Sequence, residues 1–86
     1  MTIDGAVVTE QGVTFAIVIV KSHILQSSDS CDEARNSFRS LFPGMPIILM
    51  AQNSRGIPTY QGRTDIVNFL SRIDFRRIPW KRYTVA

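Results

Sequence analysis

The sequence has few of the residues from which catalytic and metal centres are built. Its 86 residues include one cysteine, Cys31, and one histidine, His23. A single cysteine excludes a disulfide within the chain, and this pair cannot supply a conventional structural zinc site. The glycines lie apart at chain breaks, so the sequence contains no glycine-rich phosphate loop. We therefore expect no catalytic residue, no metal and no cofactor.

Long apolar runs are also missing. The longest mostly apolar run, from Val13 to Val20, is much shorter than the roughly 20 residues that a membrane-spanning helix needs. Residues 1–5 contain an acidic residue and no basic one, which is not the pattern of a secretory signal peptide. These features predict a cytoplasmic protein without a membrane partner.

The composition is that of a globular protein. Hydrophobic residues make up 44% of the chain and charged residues 20%, which is too apolar for a disordered segment. A chain of this length has room for one core, so we predict a single small domain over residues 1–86.

The net charge of +3 is unevenly distributed along the chain. Residues 1–54 contain three basic and five acidic side chains, a net charge of −2, whereas residues 55–86 contain seven basic and two acidic ones, a net charge of +5. The basic character therefore belongs to the C-terminal part.

The first third of the chain predicts a hairpin. Residues 6–10 and 13–21 are rich in β-branched side chains, and Gln11-Gly12 between them suits a tight turn with positive φ. In the second strand both alternating sets of side chains are apolar, so both of its faces should be buried.

A helix follows this hairpin. Ser30 and Glu33 have the spacing of a capping box, which predicts the start of the helix at Ser30. Apolar residues recur from Cys31 at helical spacing, whereas Arg35 and Arg39 lie on the opposite side, where we expect solvent.

Residues 46–51 predict a buried strand, residues 57–61 an edge strand that contains Pro58, and residues after Thr64 a second helix. Residues 80–85 predict a last strand. The resulting fold class is α+β, in the order ββαββαβ, with a mixed sheet and both helices on one face.

The best functional hypothesis is a non-catalytic binding or protein-interaction domain. Two helices on one face would leave the other face of the sheet open, and a second copy of the chain would cover it in a homodimer. The alternative cover is the chain itself, with Ile24, Leu25 and residues 75–80 folded back across the sheet.

A second hypothesis concerns residues 75–83, which alternate basic and aromatic side chains. Cations bind phosphates and aromatic rings stack on bases, so this composition is also that of a nucleic-acid-binding module. The candidate binding residues are Arg76, Arg77, Trp80, Lys81, Arg82 and Tyr83. The same residues also suit an edge strand that charges protect from aggregation.

A third hypothesis is thiol redox chemistry at Cys31. The order of strand, loop and cysteine at a helix start resembles that of thioredoxin-fold proteins. A strand-turn-strand-helix piece over residues 46–73 resembles their C-terminal half. This resemblance implies a reactive thiol. The chain has no CxxC motif, and Asp29, Asp32 and Glu33 surround the cysteine. The helical spacing of Cys31 instead favours a core position.

Overall fold

The structure is a computed structural model that describes residues 1–85; Ala86, the last residue of the predicted domain, lies outside them. The strands are β1 (Thr2–Glu10), β2 (Val13–Ile19), β3 (Ile47–Gln52), β4 (Pro58–Gln61) and β5 (Lys81–Thr84). The α-helices are α1 (Ser28–Phe38) and α2 (Thr64–Leu70), and two 3₁₀ helices span Ser22–Gln26 and Phe75–Arg77. The α+β class is confirmed.

One mixed sheet contains all five strands, in the order β4-β3-β2-β1-β5. Only the β2–β3 pair is parallel, and α1 connects these two strands. The β1–β2 turn forms at Gln11 and Gly12, whose φ angles are 52° and 78°. Positive φ at both central residues is typical of the two-residue turns whose twist fits that of the two strands of a hairpin. The Gln-Gly pair predicts such a turn.

The two helices lie on opposite faces of the sheet, so the prediction that both pack on one face is wrong. Alternate residues of β2 separate into two apolar clusters. Ala16 and Val18 pack with Cys31 and Phe38 of α1, whereas Phe15 and Ile17 pack in the other cluster. The second cluster also contains Ile66 and Leu70 of α2. We call the two sides of the sheet the α1 face and the α2 face.

The topology explains this arrangement. A parallel pair needs a crossover connection, and α1 provides it on one face. The chain then reaches β4 at one edge of the sheet and must return to β5 at the other edge. Since α1 already occupies the first face, the return through α2 and the second 3₁₀ helix covers the opposite face.

The open sheet face that motivated a homodimer is therefore absent from the described chain. Both faces of β2 are buried, with residues 15–18 at most 1% exposed. Ile24 and Leu25 pack on the α1 face, and Phe75 and Trp80 pack on the α2 face. The chain covers its own sheet, but not in the way that the sequence suggests, because Ile24 and Leu25 pack on the face opposite Phe75 and Trp80 and α2 lies on the second face.

Two details of α1 differ from the sequence prediction. The helix begins at Ser28, because the Ser27 hydroxyl accepts a hydrogen bond from the Ser30 N–H at 3.1 Å. Arg35 does not face solvent: its side chain is 15% exposed, and its Nε donates to the Ile47 carbonyl at 2.9 Å. Helical spacing places Arg35 opposite the apolar stripe, but β3 and β4 extend beneath that side.

Candidate functional site

The predicted basic and aromatic segment begins with a 3₁₀ helix. The Asp74 carboxylate accepts hydrogen bonds from the Arg76 N–H and from the Arg76 guanidinium, with an Nη2–Oδ2 distance of 2.9 Å. These bonds lower the pKa of Asp74 below its usual value and raise that of Arg76. The Arg76 charge is therefore already paired within the chain.

The two aromatic residues of the candidate set pack against the apolar clusters. Trp80 is half-buried on the α2 face, and its Nε1 donates to the Phe75 carbonyl at 3.0 Å. Tyr83 packs on the α1 face, edge-on to the Phe42 ring at a centroid distance of 5.1 Å. Neither ring is presented as a free stacking platform beside the basic residues.

The sheet also separates the last two cations. In the register of β5, Lys81 lies opposite Gly5 and Arg82 lies opposite Asp4, so their side chains are on different faces. Arg82 forms an ion pair with Asp4 at 3.3 Å. The six candidate residues are thus divided between two faces, and two of their four cations are paired.

Only Arg77 of this set contributes to the main concavity of the α2 face. A cavity of about 510 Å³ lies between β1 and the segment that leaves α2, and Val8, Phe69 and Ile73 provide apolar walls. A second cavity of about 250 Å³ continues it toward the hairpin turn. Both cavities share Glu10, Phe69 and Arg72. We call this surface the α2-face groove and define it by Val8, Glu10, Phe69, Arg72, Ile73 and Arg77.

Around the α2-face groove, unpaired basic side chains outnumber unpaired acidic ones. Arg72 and Arg77 form no ion pair with any residue that the structure describes. Glu10 is the facing carboxylate without an ion pair; Asp74, which also lines the groove and whose pKa Arg77 helps to lower, is bound to Arg76, and Asp65, which lines the second cavity, is bound to Arg63. Two guanidinium groups against one unpaired carboxylate make the groove favourable for an anionic group.

A third cavity, of about 260 Å³, lies on the same face at the β4 edge, between Ile57, Ile73 and Tyr60. The Tyr60 hydroxyl is buried and has no hydrogen-bond partner within residues 1–85. Burial raises the pKa of Tyr60 above its usual value of 10.0. A buried hydroxyl without a partner costs free energy in the folded state.

We expect Tyr60→Phe to raise the free energy of unfolding by about 1 kcal/mol at neutral pH, because the unpaired hydroxyl is removed. Since the raised pKa favours the neutral phenol in the folded state, the wild-type protein loses stability as the pH rises above 10.0. The phenylalanine variant should lack this loss. Urea unfolding of both proteins at neutral pH and above pH 10 measures the difference; a destabilised variant would show that the hydroxyl has a partner.

Cys31 lies in the core of the α1 face. It is 1% exposed, and its thiol donates to the Ile24 carbonyl at 3.4 Å. Cys31 is the fourth residue of α1 and so lies one turn inside the helix. The thioredoxin resemblance instead implies a cysteine at the start of the helix. This position supports the structural interpretation of the thiol over the redox hypothesis.

The Cys31 thiol should react with an aromatic disulfide reagent only when the domain opens. We expect the native rate to be at least about a thousandfold below that of the unfolded chain, in keeping with opening free energies of several kcal/mol. Rates measured in buffer and in denaturing urea give this ratio. Equal rates would place the thiol at an accessible surface.

Sequence reasoning missed most of the α2-face groove. No motif in the sequence marks Phe69, and Glu10 and Arg72 are separated by 61 intervening residues in the sequence. The available signal was the excess of basic residues after position 54, which includes Arg72 and Arg77. Nothing in the spacing of these residues predicts that they converge with the end of β1.

Among the described residues, no helix is long and apolar enough to cross a membrane. Residues 1–85 also contain no group of three or more potential metal ligands. No protein family, no curated protein and no solved structure matches this chain.

Proposed function

We propose that this protein is a non-catalytic protein-interaction domain that binds its partner in the α2-face groove. The proposal depends on the α2-face groove, which combines half-buried Phe69 and exposed Ile73 with the guanidinium groups of Arg72 and Arg77. These two groups have no ion-pair partner in the described chain. Apolar walls with a few convergent polar groups are typical of binding sites. A homodimer across a sheet face is not part of the proposal, since helices cover both faces.

The experiment is a selection of short random peptides, displayed on phage, against the immobilised chain. Peptides that bind the groove should lose at least about tenfold in affinity, about 1.4 kcal/mol, when Arg72 and Arg77 are both changed to glutamate. The matched control changes Arg39 and Arg55 to glutamate, which alters the net charge equally at exposed positions outside the groove. Equal losses in both variants would contradict the proposal.

A nucleic-acid-binding module remains the second candidate function. It is favoured by the unpaired Arg72 and Arg77 beside Phe69, and by the net charge of +5 over residues 55–86. It predicts an oligonucleotide affinity that falls steeply with salt, and a shallower salt dependence in the Arg72→Glu, Arg77→Glu variant. The division of residues 76–83 between two faces makes it the weaker proposal.

A further inference from the structure

The edge of β1 beside the α2-face groove is open. β5 pairs with β1 only from Thr2 to Gly5, whereas β1 continues to Glu10. After the second 3₁₀ helix the chain buries Ile78 in the α2-face cluster, and Pro79 has no N–H. The chain therefore joins the sheet only at Lys81, and the second half of β1 has no neighbour on this side.

The hydrogen-bond pattern identifies the backbone groups that face this gap. The Val85 N–H donates to the Met1 carbonyl at 2.8 Å, so the odd-numbered residues of β1 direct their backbone groups toward β5. Pairing alternates along a strand, which places the N–H and C=O of Val7 and Thr9 at the open edge. These groups have no hydrogen-bond partner within residues 1–85.

The other sheet edges carry residues that discourage pairing. β4 begins with Pro58, and β5 presents Lys81 and Arg82. Proline and basic residues are common protections of an edge strand. The gap in contrast presents Val7, which is 40% exposed, and the uncharged Thr9.

The gap and the α2-face groove form one continuous surface. The even-numbered residues of β1 point to the α2 face, and Val8 and Glu10 line the groove directly. A strand added beside β1 would direct every second side chain to the same face, beside Arg72 and Arg77. Lys81, exposed at the start of β5, lies next to the same gap, with its side chain on the α1 face.

We infer that the partner is an extended acidic peptide that adds to the edge of β1 at Val7 and Thr9 and places a carboxylate beside Arg72 and Arg77. This inference rests on the proposed function and specifies its ligand. Strand addition supplies the main-chain hydrogen bonds, and the groove supplies side-chain selectivity. Charge complementarity favours an acidic peptide over a second copy of this chain, whose net charge is +3.

The test uses the full chain and the acidic peptides that the phage selection enriches. Each peptide is made as a series in which every member carries one backbone N-methyl group, at a different residue of the peptide in each member. Binding should fall at least about tenfold when the methyl group replaces an N–H that faces β1, and should be retained at the neighbouring position. Thr9→Pro, which removes an N–H from the gap, should weaken binding similarly.

Amide hydrogen exchange gives an independent measure on the protein. Val7 and Thr9 amides should exchange rapidly in the free chain and slowly in the complex, whereas Ala6 and Val8 amides, bonded to β2, should be protected in both. Because Thr9→Pro also perturbs β1, the N-methyl series and this exchange pattern decide the result.

The outcomes separate the inference from the proposed function. Binding that needs Arg72 and Arg77 but is insensitive to the position of the N-methyl group overturns strand addition and leaves the interaction domain intact. A selection that enriches no peptide overturns both proposals. Tighter binding of a single-stranded oligonucleotide at the groove, or protection of Val7 and Thr9 by self-association of the chain, overturns the assignment of a peptide partner.

Discussion

Gly62→Ala is expected to lower the free energy of unfolding by about 2–4 kcal/mol, because the added methyl group has neither space nor an allowed backbone conformation. Gly62 has a φ of 151°, and an added Cβ would lie 2.6 Å from Ile48 Cδ1. Ile48 is fully buried, so its side chain can move only by disturbing the α2-face cluster. Chemical denaturation of the variant measures the loss.

Gly12→Ala is the matched control for this prediction. Its φ of 78° also disfavours a side chain, but an added Cβ would meet no atom within 4 Å. We expect a loss of about 1 kcal/mol from backbone strain alone. If both variants lose the same free energy, the close approach of Gly62 to Ile48 contributes nothing.

Arg35→Ala is expected to destabilise the domain by about 2–4 kcal/mol, because charge-assisted hydrogen bonds are individually strong. Its guanidinium donates to the Ile47 carbonyl at 2.9 Å, to the Gln61 carbonyl at 3.3 Å and to the Gln61 side chain. One side chain thereby ties α1 to β3 and β4. Urea unfolding measures the effect.

Two further variants isolate the cause. Arg35→Met keeps most of the apolar stem and removes the donors, so it should lose nearly as much stability as Arg35→Ala. Arg39→Ala removes an exposed guanidinium whose Nε donates only to Asn36, and should change stability by about 0.5 kcal/mol or less. A mild effect of Arg35→Met would assign the stabilisation to packing rather than to hydrogen bonds.

Local patterns predicted the elements of this fold well. The Gln11-Gly12 turn, the buried β2 strand and the core position of Cys31 each depend on short-range preferences or on periodicity, and the structure has all three. The capping prediction failed by one turn because Ser27 offers the same chemistry as Ser30. Several serines in succession leave the helix start undetermined by sequence.

Long-range features could not be predicted in the same way. Because both faces of β2 are apolar, other elements must pack on both sides of the sheet. The periodicity of the sequence does not indicate which helix packs on which face. Arg35 likewise looks solvent-facing on an isolated helix, and its burial depends on Gln61 in a distant edge strand.

The candidate site shows the same limit. Residues 75–83 have the composition of a nucleic-acid-binding segment, yet Trp80 and Tyr83 pack in clusters on opposite faces of the sheet. The α2-face groove instead combines Arg77 with Glu10 and Phe69. The edge of β1 is open because Ile78 is buried in the α2-face cluster, which keeps the chain away from β1 until Lys81. Such convergence is a property of topology, not of spacing along the chain.

The most direct test of this account is an NMR titration of the ¹⁵N-labelled chain with a peptide from the selection. Binding at the open edge and the groove predicts shift changes at residues 7–10 and 69–79, with little change in α1. Changes concentrated in α1 and residues 22–26 would contradict it, because the partner would then bind the opposite face of the sheet.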